Sequence, residues 1–260
     1  MPQDRVVIGA SRNVLVERVR WHEAAPQWSP LYRTPTRRVV LPGSGAAQLR
    51  SGDSEVLIDG LTAFGLAEAI PYQIKPEQGS NGRAGVVVSA TARHCVKVPT
   101  EPQAWLLPPS ALFHLRLHWL NLEAGRTLAA QTVGIVDSAF RSAVLLHPSR
   151  ACVGHVSRAR SLLMRERGDR VTVQDVCDAV HVSPSHLARS FRRHVGVSLH
   201  EYRQRLRLCV ALDRLEAGEN DLAGLAHDLG FCHQSHFGHA FRTEVGLTPA
   251  QARQAFRNAR

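Results

Sequence analysis

Two stretches near the C-terminal end decide the reading: VCDAVHVSPSHLARSFRRHVGVS (176–198) and LAHDLGFCHQSHFGHAFRTEVGLT (225–248). Val176 and Val182 in the first match Leu225 and Phe231 in the second. Leu187, Phe191, Gly196 and Ser198 match Phe237, Phe241, Gly246 and Thr248. The offset changes by one residue, at the turn. Each stretch predicts a short helix, a tight turn and a second helix around a small apolar core. Those cores are Val176, Val180, Val182, Leu187 and Phe191, and Leu225, Leu229, Phe231, Phe237 and Phe241.

The apolar stripes are core and nothing more. The information lies on the opposite faces. In the first repeat that face carries Ser185, Ala188 and Arg189; in the second it carries Gln234, Ser235, His236, Gly238 and His239. A helix in the major groove reads base edges with its N-terminal half, where Gln suits adenine and Arg suits guanine. Arg192, Arg193 and Arg242 stand further along, where phosphate contact is expected. Small Ala188 and Gly238 would let the helix backbone come close to the groove.

Helices are predicted around the repeats at 157–168, 172–180, 183–194, 198–218, 221–230, 233–246 and 248–256, each with its own Ser, Thr or Asp cap or glycine stop. The most telling run is GFCHQSHFGHAFRTEVGLTPAQAR (230–253), with VSPSHLARSFR (182–192) in the first repeat. On these residues 155–257 resemble the DNA-binding domain of the AraC family of bacterial transcription regulators. The resemblance implies seven helices, with the long one at about 198–217 holding two helix-turn-helix units apart. It carries base contacts onto Ser185, Ala188 and Arg189, and onto Gln234, Ser235, His236, Gly238 and His239. His236, His239 and Ala188 depart from the family's usual residues, so the base sequence read is open.

The N-terminal half has a different period. Short apolar runs at 14–21, 37–41, 46–50, 54–59, 62–67, 72–75 and 84–90 alternate with PGSG (42–45), SGDS (51–54), IDG (58–60) and QGSNG (78–82). Such runs predict an antiparallel sandwich or small barrel. Two helices follow, at 108–125 and 127–146, as a hairpin expected to pack on the sheet and to form a homodimer interface. HPSRACVG (147–154) has linker composition, so the expected division is 1–147, a linker at 148–154, and 155–260. The class is therefore α+β in two domains. The strands and hairpin resemble, less closely, the cupin-like effector and dimerisation domain of the same family. No H-x-H occurs in 1–150, which argues for an organic effector or none rather than a metal; no cofactor is expected. Trp28, Tyr32, Arg37 and Tyr72 are the candidate pocket residues.

Net charge is +10, and 30 of the 32 basic residues are Arg. That excess suits a polyanionic partner, although a GC-rich genome produces the same bias. Charge does not locate the partner's site, because residues 1–150 and 151–260 each carry 16 basic and 11 acidic groups. Five cysteines without a C-x-x-C pattern suggest reduced thiols. MPQDRVVIGASR lacks the apolar core of a signal peptide, and no run is long enough to span a membrane, so a cytoplasmic, nucleoid-associated protein is expected.

His233, His236 and His239 form H-x-x-H-x-x-H beside Cys232, but the third His drifts around a helix and all three fall on or beside the reading helix. The adjacent His94 and Cys95 could suggest a thiol sensor or metal site, a weak pattern on its own. No nucleophile elbow, P-loop or dinucleotide fingerprint is present. The expected function is sequence-specific binding of double-stranded DNA, more an activator than a repressor, with RNA polymerase and a small-molecule effector as further partners. Two alternatives stand beside it: an enzyme on the N-terminal barrel with an accessory DNA-binding domain, and an architectural protein that binds DNA without sequence choice.

Overall fold

The computed structural model describes residues 3–21, 27–43, 45–77, 83–90, 103–146, 154–165 and 171–260. The expected linker, save Gly154, and the His94–Cys95 pair lie outside these residues.

The alternating runs form strands, as their pattern predicts. They are β1 (Gln3–Ala10), β2 (Val14–Trp21), β3 (Tyr32–Arg33), β4 (Arg37–Pro42), β5 (Ala47–Ser51), β6 (Ser54–Ile58), β7 (Thr62–Leu66), β8 (Pro71–Pro76), β9 (Arg83–Ala90) and β10 (Gln103–Leu106). A late strand, β11 (Val144–Leu146), joins them. Among the described residues one sheet has seven strands in the order β1-β2-β9-β4-β7-β10-β11 and the other has four, β3-β8-β5-β6. The pairs are antiparallel. The β5–β6 hairpin turns on Gly52 and Asp53, with Gly52 at φ +55, the left-handed value a tight hairpin asks of its first central residue. Valines of β2, β4 and β9 are buried on both faces of the larger sheet: Val16, Val39 and Val88 share one face and Val19 lies on the other, and all four are essentially without exposure.

The helical hairpin departs from its expected form. α1 (Pro109–Glu123) matches the periodicity, with Pro109 in its first turn. The second helix is shorter than 127–146: a 3₁₀ turn at Ala129–Gln131, then α2 (Thr132–Arg141). Val144–Leu146 instead pairs with β10, because an edge backbone there finds sheet partners that a longer helix would forgo. Ala111, Leu112, Phe113, Leu115, Trp119 and Leu122 are all buried on α1. A helix apolar on so many sides must be enclosed. α1 touches α2 and β1 on the sheet side and the later helices at Leu199–Ala217, Gln234–Val245 and Pro249–Ala259 on the other. The first helix of the hairpin is thus filled by the chain itself and offers no broad face to a second copy.

Among the described residues seven helices follow, in agreement with the resemblance: α3 (Gly154–Arg165), α4 (Val173–Val180), α5 (Pro184–Val195), α6 (Leu199–Ala217), α7 (Leu222–Asp228), α8 (Gln234–Val245) and α9 (Pro249–Ala259). The buried apolar residues make one continuous cluster from the strands through α1 into these helices. No helix among the described residues is long and apolar enough to cross a membrane.

Candidate nucleic-acid interface and effector cavity

The two helix-turn-helix units are built from the same local devices. Thr172 caps α4 in a reciprocal box with Asp175, Ser183 caps α5 ahead of Pro184, and Asp221 caps α7. The turn residue after α4 is His181 at φ 58, and its counterpart after α7 is Gly230 at φ 69. Both turns need a left-handed residue, and a non-glycine at His181 holds it at a steric cost of about 1 kcal/mol. Gly196 and Gly246 end α5 and α8 at φ 79 and 91.

These devices fix which faces are buried. Leu187 and Phe191 on α5, and Phe237 and Phe241 on α8, have no solvent exposure. That turns Ser185, Ala188, Arg189, Arg192 and Arg193 outward on α5. Gln234, Ser235, His236, His239 and Arg242 point outward on α8, and Gly238 is half-buried, with open space where a Cβ would stand. His236 is not wholly free to read a base, since its ring meets Phe231 edge-on at 5.4 Å. Arg189, Arg192, Arg193 and Arg242 engage no ion pair among the described residues. Nor, among those residues, does any group of three His, Cys, Asp or Glu side chains come close enough to hold a metal ion.

A second site lies in the N-terminal domain. A cavity of about 220 Å³ opens among β1, β2, β4, β7, β8, β9 and the short β3. Its apolar lining is Val40, Phe64, Leu66, Ile74, Val87 and the ring of Trp21; its polar lining is Arg5, Arg33, Arg38, Tyr32 and Tyr72. Tyr32 and Tyr72 were both candidates from the sequence, and their rings lie 5.8 Å apart across the β3–β8 pair. The other two candidates are off the lining. Arg37 is displaced by its neighbour Arg38, since successive residues of a strand point to opposite faces. Trp28 is covered by Arg50 and Lys75, which stand 4.2 and 5.2 Å from its ring centre, while Trp21 lines the cavity in its place. Arg5 and Arg33 escaped the sequence reading because β1 had no clear alternation and β3 has only two residues.

Burial lowers the Arg38 guanidinium below its ordinary pKa; Tyr72 and Glu17 oppose this, and Arg5 adds to it. Its Nε is buried without a hydrogen-bond partner among the described residues. Arg5 is paired with Glu17 at 3.1 Å, and Arg33 donates to the Ala69 carbonyl at 3.3 Å.

A family model described as a helix-turn-helix domain matches residues 176–255, the segment that holds both units. A putative AraC-like transcription regulator from Streptomyces lividans is 34% identical over 99 residues, 38% of this chain and 33% of that protein. The HTH-type transcriptional activator RhaR of Yersinia pseudotuberculosis is 30% identical over 96 residues, 37% of this chain and 33% of its own length. The C-terminal domain is similar to AraC-type DNA-binding domains. The chain spans about a third of the length of these curated relatives. Fatty-acid-bound ToxT from Vibrio cholerae overlaps 94% of this chain and 95% of that one, at 12% identity and a TM-score of 0.38. The two-domain architecture stands on this chain's own strand pairing and not on that overlap.

The AraC-type domain is not free of the barrel. Arg160 of α3, Tyr202 of α6, and Asp59 between β6 and β7 meet at a seam where all three are buried. Arg160 and the Tyr202 hydroxyl both donate to Asp59 Oδ2. Arg160 also donates to Thr62 Oγ1 at 3.0 Å and to the Tyr202 oxygen at 3.2 Å. Asp59 Oδ1 accepts from Thr62 Oγ1 at 2.7 Å and from the Leu61 amide at 2.9 Å. Burial would raise the Asp59 carboxyl, but the Arg160 charge and the hydrogen bonds from Tyr202, Thr62 and Arg160 outweigh it and hold it low. Nearby, Arg116 of α1 pairs with Asp213 at 2.6 Å and Glu216 at 3.2 Å on α6. No sequence pattern announced these contacts, whose partners lie about a hundred residues apart.

Proposed function

We propose that this chain is a transcription regulator that binds double-stranded DNA sequence-specifically, with α5 and α8 entering successive major-groove segments roughly one helical turn apart. The observation that carries this is the pairing of two exposed polar helix faces with two fully buried apolar ones in a single domain. Arg189, Gln234 and Ser235 are the base readers; Arg192, Arg193 and Arg242 hold phosphates. Since the two faces differ, each chain reads an asymmetric site in one direction. A fixed direction suits an activator that must stand in a set orientation to RNA polymerase. The barrel cavity is the effector site, and the seam couples it to the DNA-binding faces. A homodimer, if formed through the hairpin, uses α2 and Leu128, which is 70% exposed, because α1 is enclosed.

Competition binding on promoter fragments tests the reading. Arg189→Ala is expected to cost about 1–3 kcal/mol and to relax preference at one base pair. Arg192→Ala is expected to weaken all sequences alike and to flatten the salt dependence. If both substitutions act alike, base and phosphate contacts have been wrongly sorted. If promoter fragments bind no better than random DNA, the architectural reading takes over.

A further inference from the structure

The barrel cavity has a chemical preference written into its walls. Its lining holds three guanidinium groups and no carboxylate. The nearest acid, Glu17, is already paired with Arg5. Arg33 is bonded to a backbone carbonyl. Arg38 alone of the three makes no hydrogen bond or ion pair among the described residues. Its Nε is shut off from the cavity, so the terminal nitrogens are the ones a ligand can reach. A part-buried guanidinium without a partner is costly, and an acceptor on a ligand would relieve that cost. Beside it on the same sheet stand Phe64 and Leu66, the latter its direct cross-strand neighbour, and Ile74 of the other sheet completes the apolar lining.

We propose that the cavity binds an organic monocarboxylate of about the size of one aromatic ring, with its carboxylate on Arg38 and its ring against Phe64 and Leu66. This rests on the effector reading above and names the ligand's class. Size supports it: roughly 150 Å³ of apolar cavity is enough for benzene, and 220 Å³ leaves room for a carboxylate beside the ring. Charge supports it too. One unpaired guanidinium matches one negative charge in a planar fork, whereas a phosphate dianion would call on Arg5 and Arg33, which are engaged. A neutral polyol would leave the Arg38 charge uncompensated.

Calorimetry on the full chain, without DNA, tests this with benzoate and phenylacetate against their neutral isosteres benzamide and phenylacetamide. The acids are expected to bind saturably at millimolar concentration or below, and the amides at least about tenfold more weakly. Arg38→Gln is expected to erase the preference for acids, and Arg38→Lys to retain part of it. Unliganded Arg38→Gln is expected to melt no lower than the parent, because the side chain it replaces is unsatisfied there. Four results overturn the proposal: amides that bind as well as acids, no binding by either acid, Arg38→Gln that still prefers acids, or a lowered melting point that makes Arg38 a structural group. Should Arg38→Gln fail to fold, that too marks Arg38 as structural. Promoter binding is scored separately, so failure of the DNA-binding reading would leave the acid-against-amide result standing.

Discussion

The two helix-turn-helix units share their cores and differ in how they are tied to the barrel. The first is held by charge through the helices packed on it: Arg160 on α3, which touches α4 and α5, reaches Asp59, with Tyr202 of α6 closing the cluster. The second is held mainly by shape: Phe113 of α1 meets Phe256 of α9 edge-on at 5.2 Å and α1 also packs against α8, with one exposed polar tie from Arg126 to the Asn258 carbonyl at 2.7 Å. A buried ion cluster is nearly all-or-none, since removing one member strands the others without water. An apolar contact yields by degrees as atoms are lost. The first unit is therefore the one whose placement a small chemical change can release, and the second is the more tolerant anchor.

The largest expected effect comes from breaking the charged side. Asp59→Ala leaves a guanidinium and a phenol buried without their acceptor and should cost about 3–5 kcal/mol in denaturant unfolding. Combining it with Arg160→Met should recover much of that loss. If Asp59→Ala unfolds like the parent, charge does not hold the first unit. The sign with pH follows. The folded-state pKa of Asp59 is depressed, so its stabilisation is present above the ordinary aspartate value and is lost as pH falls through the lower folded value. The apolar anchor has no such dependence.

A smaller effect is expected on the apolar side. Phe113→Leu should cost about 1–2 kcal/mol, with no change in the pH profile. A loss as large as that of Asp59→Ala would erase the contrast between the anchors. Smaller still is a difference between the two reading helices. Ser183 caps α5 with its side chain, whereas His233 stands at the start of α8 with no capping bond. Ser183→Ala should lower stability by about 1 kcal/mol and His233→Ser should raise it by a similar amount, both read by thermal melting. Equal and opposite shifts would sharpen the comparison; a loss on His233→Ser would show that the His serves α8 in another way.

Much of this was legible in the residues. The seven helices of the AraC-type domain follow from caps and glycine stops, and seven of the strands from alternation between Gly turns. What escaped has physical reasons. β1 is an edge strand that leaves Val6 and Val7 exposed at 60% and 57%, so its sequence lacks a buried face. β11 hid in a run whose Ala, Val and Leu suit a helix as well as a strand. The cavity was half seen: Tyr32 and Tyr72 lie on it, but a strand's alternation put Arg38 there instead of Arg37. The seam could not be seen at all, because Asp59 sits in an ordinary turn tripeptide and its partners are 101 and 143 residues away.

The thiol of Cys209 lies in the same seam. It faces the Gly60 carbonyl at 3.4 Å and the Arg116 guanidinium at 3.7 Å, and burial pushes its pKa up to about 12. Sealed in this way, the sulphur is inert while barrel and helices stay together, whereas Cys232 stands in the open. An alkylating reagent would take Cys232 at once and reach Cys209 in the moments when the seam parts. Cys177 is buried as well, so labelling read at Cys209 itself is the clock for opening of the seam that the chain already carries.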